Sequence, residues 1–210
     1  MQLSGRKVDG NRGPGNQSGS SRHWRSTTQA AVCLIACGAL LLPPAQTPAQ
    51  IADEAEYRVK LAFLYNFAQF IQWPPEAFPG PSAPLLICVA GPNPFQGGIE
   101  QGLRGRQVGG HPISVIKLKS GDDLRGCHII FVRASEKKAE ARILTALKGA
   151  STLTVGESAG FADLGGVINL TLDENKLRLE VNLDAATQTR LRISSKLLAL
   201  AKIVKVDPGP

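Results

Sequence analysis

Histidine is scarce in this 210-residue sequence, and none follows His128. The absence matters because LTVGESAG, residues 153–160, spells the G-x-S-x-G pattern of an α/β-hydrolase nucleophile elbow around Ser158. In that fold the triad runs Ser, then Asp or Glu, then His along the chain, and a helix follows the serine. A reordered triad with His111 or His128 as the base stays open. No catalytic residue is predicted, and Ser158 is interpreted as a residue that shapes or borders a recognition loop.

Long hydrophobic runs are also missing. The uncharged apolar stretch Ala30–Leu42 has 13 residues, whereas a bilayer-spanning helix needs about 20. Basic residues precede it and small residues follow it, which is typical of a secretory signal peptide. We predict a leader over residues 1–50 that is cleaved on export, and a mature domain over residues 51–210. Lipidation at Cys37 and an uncleaved anchor are the alternatives.

The chain lacks a phosphate-binding glycine loop. A dinucleotide fingerprint starting at Gly91 would need glycine at positions 93 and 96, which hold Asn and Gln. Pro92 and Pro94 also remove two of the backbone N–H donors that hold a pyrophosphate. No cofactor is predicted.

A clustered excess of charge is absent as well. The formal charge of +7 divides into five Arg or Lys and one Asp in residues 1–50, and 19 Arg or Lys against 16 Asp or Glu in residues 51–210. Nucleic-acid binding needs a concentrated basic face. No nucleic-acid partner is predicted.

Only two of the four cysteines, Cys88 and Cys127, lie in the predicted mature domain. An even count in an exported chain favours one disulfide, and two small buried thiols are the alternative. Only His111 and His128 could join these cysteines as metal ligands, and no short ligand pair exists. No metal site is predicted.

An aromatic-rich helix is predicted at the start of the mature domain. Tyr57, Leu61, Leu64, Phe67 and Ile71 recur at helical spacing. The helix is expected to end at Trp73, because two prolines follow. Packing in the core explains such a stripe, and a groove for a partner is the alternative.

Strands and helices alternate over the next hundred residues, which predicts a mostly parallel α/β sheet. A one-sided alternation of apolar and charged residues then predicts an antiparallel hairpin, and the last apolar periodicity predicts a long C-terminal helix capped by Asp184. The predicted strands are 84–91, 111–118, 127–135 and 151–156; the helices are 93–103, 136–149 and 184–204; the hairpin is 165–183 with its turn at 173–175. We predict a single α/β domain.

Five phrases of this sequence resemble the YfiR family of exported bacterial proteins. They are EYRVKLAFLYNFAQFIQWP, ICVAGPNPF, CHIIFVRASE, LTVGESAGFADLGGVINLTLDENKLRLEVNLDAA and LRISSKLLALAKIV, spread from Glu56 to Val204. The resemblance implies a Rossmann-like periplasmic domain that tends to dimerise and is not an enzyme. It further implies a protein that represses a membrane-bound diguanylate cyclase of the YfiN type by binding its periplasmic portion, and so limits cyclic-di-GMP signalling and biofilm formation.

Specific residues follow from the same resemblance. Cys88 and Cys127 stand where the family has a disulfide. A second cysteine pair of some members, near residues 160–169, is missing here, so redox control through that bond is not expected. Some relatives have been linked to small-molecule ligands.

The hypothesised partner surface is the segment 160–170 with Phe161, Leu164 and Ile168, joined by Trp73. A charged substitution at Ile168 is then expected to relieve repression while the protein stays folded. The alternative functions are a periplasmic small-molecule sensor, a scaffold for another membrane protein such as a histidine kinase, and an enzyme on a Rossmann-like domain.

Overall fold

A computed structural model describes residues 48–92, 95, 98–119, 121–174 and 176–205. The predicted signal peptide and Cys37 lie outside these residues. Within the described ranges, no helix is long and apolar enough to cross a membrane.

Helix α1, Pro48–Phe70, is the predicted aromatic-rich helix. The apolar face of this helix packs in the hydrophobic core, where Leu64, Phe67 and Ala68 are fully buried. The helix ends three residues before the predicted boundary, because the following strand β1, Ile71–Gln72, is extended and pairs antiparallel with residues 192–193. The two prolines come next and open a short 3-10 helix, Pro75–Ala77.

The predicted parallel strands are present. They are β2 Leu85–Ala90, β4 His111–Leu118, β5 Ile129–Val132 and β6 Leu153–Gly156. Helix α2, Gly98–Leu103, and the short strand β3, Gln107–Val108, connect β2 to β4. A 3-10 turn, Ala134–Ala139, and helix α3, Glu140–Ala146, connect β5 to β6. All four strands run parallel, in the spatial order β4-β2-β5-β6.

The predicted hairpin is also confirmed. Strands β7, Ile168–Asp173, and β8, Lys176–Asn182, pair antiparallel. Strand β7 lies parallel to β6, with Val155 opposite Ile168. The hairpin therefore extends the parallel sheet.

The predicted long C-terminal helix is wrong. The segment instead forms α4 Leu183–Gln188, β9 Arg192–Ile193, α5 Ser195–Leu198 and β10 Lys202–Val204. Arg190 has a φ of 59°, which ends the first helix, and Asn182 caps it in place of Asp184. Strand β9 then pairs with β1, and β10 pairs in parallel with β8. These pairings with distant strands override a local helical periodicity.

Among the described residues, eight strands form one sheet in the order β10-β8-β7-β6-β5-β2-β4-β3. Successive strand residues point to opposite faces, so the sheet has two cores. Ile87, Val89 and Phe131 face a core that includes residues of α1 and α2. Cys88 and Ile130 face a smaller core that includes residues of α3. The result is a sheet with helices on both faces.

Candidate functional site

The carboxyl ends of the parallel strands bring together residues that are far apart in the sequence. Gly91 follows β2, Arg133 follows β5 and Glu157 follows β6. The chain leaves β2 toward β4 on one side and later forms β5 on the other side. The crevice between the ends of β2 and β5 is thus a topological switch point, the place where open α/β sheets usually bind ligands.

A buried ionic network closes this edge on the α1 side. The Glu157 carboxylate receives Lys60 Nζ at 2.6 Å, the Tyr57 hydroxyl at 3.0 Å and the Ala134 amide at 2.9 Å. The side chains of Lys60 and Glu157 are only 5% and 4% exposed. Lys60 also pairs with Glu56, one helical turn away. Each polar group of this pair therefore has partners, which is the condition for burying charge.

Arg133 extends the network across the switch point. Its Nη2 donates to the Tyr57 hydroxyl at 2.7 Å, and its Nη1 donates to the Pro92 carbonyl at 3.3 Å. One guanidinium thus holds the segment after β2 and the helix α1 to the end of β5.

The network shifts two pKa values. Burial alone lowers the pKa of the Lys60 ammonium, but the hydrogen bonds and charges of Glu157 and Glu56 outweigh burial and raise that pKa above its usual value. Burial raises the pKa of the Tyr57 hydroxyl, and its hydrogen bond from Arg133 acts in the opposite direction. Lys60 is therefore charged and Tyr57 neutral at neutral pH.

Sequence reasoning missed this network, although a signal was present. Lys60 lies on the same helical face as Tyr57, Leu64 and Phe67, which are buried. A lysine inside an apolar stripe needs a buried carboxylate. The sequence could not name Glu157, which is 97 residues away.

Two of the four residues predicted for the partner surface do not lie on the surface. Phe161 and Ile168 are fully buried, in the smaller and the larger core respectively. Trp73 is half-buried, and its indole N–H donates to the His128 carbonyl at 3.3 Å. Of the four predicted residues only Leu164 is exposed, by 56%. The structure therefore does not bring these four side chains together as a docking patch.

Phe161 explains why the segment is rich in glycine. A Cβ atom added at Gly156 would lie 2.2 Å from the Phe161 ring, and one added at Gly166 would lie 2.1 Å from it. The two glycines form a slot for the ring. Gly156 and Gly166 of this segment therefore serve to pack the Phe161 ring.

Ser158 comes just before the same segment in the chain. Its side chain is buried, and within the described residues its hydroxyl has no hydrogen-bond partner. Turns follow it, then strand β7. The strand-turn-helix geometry of a nucleophile elbow is therefore not formed around Ser158.

The predicted disulfide between Cys88 and Cys127 is present. It joins the middle of β2 to the residue two positions before β5, and both sulfurs belong to the smaller core. The alternative of two free buried thiols is therefore wrong. In the described part of the chain, no cluster of three metal-ligating side chains occurs.

An aromatic cluster lies at the opposite, amino edge of the sheet. The ring of Phe78 stacks on His111 at 3.8 Å and on His128 at 4.3 Å between centroids. His128 is buried, and its Nδ1 accepts the Leu86 amide at 3.1 Å. Burial lowers the pKa of His128, as does the nearby His111, while the Ala77 backbone acts in the opposite direction.

We expect His128 to make the unfolding free energy depend on pH. Its pKa is lower in the folded state than in the unfolded chain, where histidine titrates near 6.5. The unfolded state then binds more protons below that pH, so stability is full above about pH 6.5 and falls by up to roughly 1.4 kcal/mol per pH unit below it. Denaturant titrations between about pH 5 and 8 measure this slope.

The variant His128→Asn is the control, because its amide oxygen can still accept from Leu86. The difference in slope between the two proteins isolates His128 from the other titrating groups. Equal slopes would show that His128 has the same pKa in both states.

An exposed apolar surface lies at the β10 edge of the sheet. Leu200, just before β10, is 76% exposed, and Ile203 of β10 is also exposed. Beside them is a groove of about 730 Å³ whose walls include Phe63 of α1 and Leu177 of β8. Sequence reasoning missed this surface because it assigned residues 184–204 to one helix.

Comparison with known proteins bears on these features. No curated protein matches the sequence. Among solved structures, a conserved domain protein from Vibrio cholerae is similar at 16% identity over 58% of this chain and 55% of that one, with a TM-score of 0.44. The ABC domain from Streptococcus pneumoniae in complex with L-Trp is similar at 9% identity over 57% and 55%, with a TM-score of 0.43. The chain spans just over half the length of these two proteins.

A protein-family comparison covers far more of the chain. The model of the family described as YfiR/HmsC-like matches residues 57–202, from the buried Tyr57 of α1 to the first residue of β10. The matched region therefore contains Lys60, Arg133 and Glu157 of the ionic network, the disulfide and the glycine slot for Phe161. This chain belongs to the YfiR/HmsC-like family.

Proposed function

We propose that this protein is a periplasmic regulator that represses an inner-membrane diguanylate cyclase by binding its periplasmic portion. The observation that carries the proposal is the family match over residues 57–202, a family of periplasmic regulators of diguanylate cyclase signalling. A binding protein can bias such an enzyme only by preferring one of its conformations. Repression by contact needs no catalytic group on this chain.

The groove at the β10 edge supports a role in protein binding. Exposed apolar patches mark sites where other proteins dock, and Leu200 is the most exposed large apolar side chain among the described residues. The Lys202–Glu180 ion pair, at 3.1 Å, borders the same groove. An apolar centre with a charged rim is the usual anatomy of an interface. We assign the cyclase-binding surface to this groove.

We expect Leu200→Glu to relieve repression and raise cellular cyclic-di-GMP to the level of a strain that lacks the protein. A buried carboxylate in the interface would weaken binding by more than about 2 kcal/mol, roughly 30-fold. Because Leu200 is exposed, the variant should fold normally. The measurements are cyclic-di-GMP content and recovery of the cyclase with the tagged protein from detergent-solubilised membranes.

Leu164→Glu is the matched control, because Leu164 is also an exposed leucine but lies in the segment between β6 and β7. It should repress like the natural protein. If Leu164→Glu relieves repression and Leu200→Glu does not, the partner surface lies where the sequence first placed it. If deletion of the protein leaves cyclic-di-GMP unchanged, the proposed function is wrong. The homodimer expected from the family resemblance stays a prediction, testable by light scattering.

A further inference from the structure

A second concave site lies at the carboxyl edge of the sheet, on the α3 side. This cleft of about 510 Å³ begins at Gly91, runs over the end of β4 and is walled by α3. Its volume is in the range of small-molecule sites, roughly 300–1,000 Å³. It adjoins the topological switch point between β2 and β5, where ligands of open α/β sheets bind. The fold thus places a metabolite-sized space where the architecture favours a ligand.

The floor of the cleft is apolar. Leu118 at the end of β4, Leu124 in the following loop and Ile143 of α3 line it, together with Ala139 and Ala146. A floor of this kind suits an apolar or aromatic group, because burying it removes apolar surface from water.

The loop between β4 and β5 forms one wall of the cleft and is called the wall loop. Its acidic residues hold the loop itself. Asp122 accepts the Lys119 amide at 2.7 Å, and Asp123 accepts the Arg125 amide at 3.0 Å. The loop ends at Cys127, which is bonded to Cys88 of β2. The aspartates therefore have local partners, and the disulfide fixes the base of this wall.

The basic residues have no such partners. The side chains of Lys119, Arg125 and Arg142 line the cleft, and within the described residues none of them forms an ion pair. Two guanidinium groups and one ammonium are the usual means of binding a carboxylate or phosphate. The remaining acid, Glu136, lies at the other end of the cleft against Gly91, where an added Cβ would be 2.8 Å from its Cγ.

We propose that this cleft binds a small organic anion: a carboxylate or phosphate group held by Arg125, Arg142 and Lys119, with an apolar or aromatic body on the Leu118–Ile143 floor. Glu136 faces the far end of the body and accepts from a hydroxyl or amine there. The site is separate from the groove at the β10 edge, so anion binding does not depend on the proposed contact with a cyclase.

The test uses the purified mature domain and phenylphosphonate as the probe, followed by amide chemical shifts in NMR titrations. We expect saturable shifts centred on Gly91 and residues 118–125. Benzoate should compete at the same amides if a carboxylate suffices, and neutral benzyl alcohol should bind far more weakly. Inorganic phosphate, which lacks the apolar body, should also bind more weakly.

Two variants separate the head group from the floor. Arg142→Gln should weaken phenylphosphonate binding about ten- to a hundredfold by removing charge-assisted hydrogen bonds, and Ala146→Trp should block the cleft without changing its charge. Both positions are exposed on α3, so unchanged unfolding midpoints are expected. Arg104→Gln, at an exposed arginine outside the cleft, is the control. Absence of saturable shifts, or equal binding by the Arg142→Gln and Ala146→Trp variants and the natural protein, would overturn the proposal.

Discussion

Replacing Glu157 by glutamine is expected to lower the unfolding free energy by about 3 kcal/mol, near the lower end of the range for breaking one side of a buried ion pair. The substitution keeps an oxygen acceptor for the Tyr57 hydroxyl and the Ala134 amide. It leaves the buried Lys60 ammonium with Glu56 as its remaining ionic partner, and Glu56 is partly exposed. The destabilisation comes from the lost charge together with the lost acceptor for Lys60, because Lys60 donates to the second carboxylate oxygen, which becomes an NH2 group in glutamine. Urea denaturation followed by circular dichroism measures the effect.

Two further variants make the interpretation specific. Lys60→Met combined with Glu157→Gln removes both charges of the Lys60–Glu157 pair and should be more stable than Glu157→Gln alone, because the Lys60 ammonium is then no longer buried beside a neutral partner. Glu76→Gln breaks the Arg190–Glu76 pair, whose side chains are 57% and 60% exposed, and should cost less than about 1 kcal/mol. If Glu157→Gln lowers the unfolding free energy no more than Glu76→Gln does, the buried network does not stabilise the fold more than an exposed ion pair.

Removal of the disulfide should have an effect of similar size. The bond closes a loop of 39 residues, for which the loss of chain entropy in the unfolded state corresponds to about 4 kcal/mol of stabilisation. The double variant Cys88→Ala, Cys127→Ala should unfold at a correspondingly lower urea concentration. Alanine is suited to both positions because they are buried in an apolar core.

Reduction of the natural protein provides the independent comparison. In the presence of dithiothreitol its unfolding midpoint should fall toward that of the double variant, whereas the double variant should not respond. A natural protein whose midpoint is the same with and without reductant would argue against a stabilising bond. The wall loop of the α3-side cleft ends at Cys127, so reduction should also weaken phenylphosphonate binding if that loop is held in place by the bond.

The parts of the fold that the sequence predicted correctly are those whose local pattern admits one structure. The short apolar runs within residues 84–91 and 127–135 became central strands, because their length and β-branched residues favour a strand covered on both faces over a buried helix. The alternation in residues 165–183 became a hairpin for a different reason, because alternating apolar and charged residues suit a strand with one buried and one solvated face. The disulfide could also be predicted from the sequence, because the compartment of an exported protein favours oxidation of the two cysteines in the mature domain.

The C-terminal prediction failed because its pattern fits two structures. Residues 184–204 have a helical spacing of leucines, yet β9 and β10 form there by pairing with β1 and β8. Strand pairing depends on which segments lie alongside in space. A window of neighbouring residues does not contain that information.

The sequence also did not predict which individual side chains are buried. The glycine-rich, loop-like segment predicts that Phe161 and Ile168 lie on the surface. The same glycines can instead leave space into which a buried phenylalanine ring packs, as they do for Phe161. The ionic network was missed for the opposite reason. The sequence correctly predicted the buried face of the helix that carries Lys60, but not that this lysine is itself buried on that face. In both cases the deciding neighbour is far away along the chain or set by close packing.

The sequence by itself determined the class of protein: a mostly parallel α/β domain of the YfiR/HmsC-like family with one disulfide. Local periodicity, composition and family-specific phrases carry that much, because they depend on residues close together in the chain. The tertiary structure alone decided which side chains are available. Pairing of distant strands built the β10 edge with its exposed Leu200. Convergence of parallel strand ends brought Arg133 and Glu157 together beside Lys60 of α1, and it opened the cleft beside Arg142.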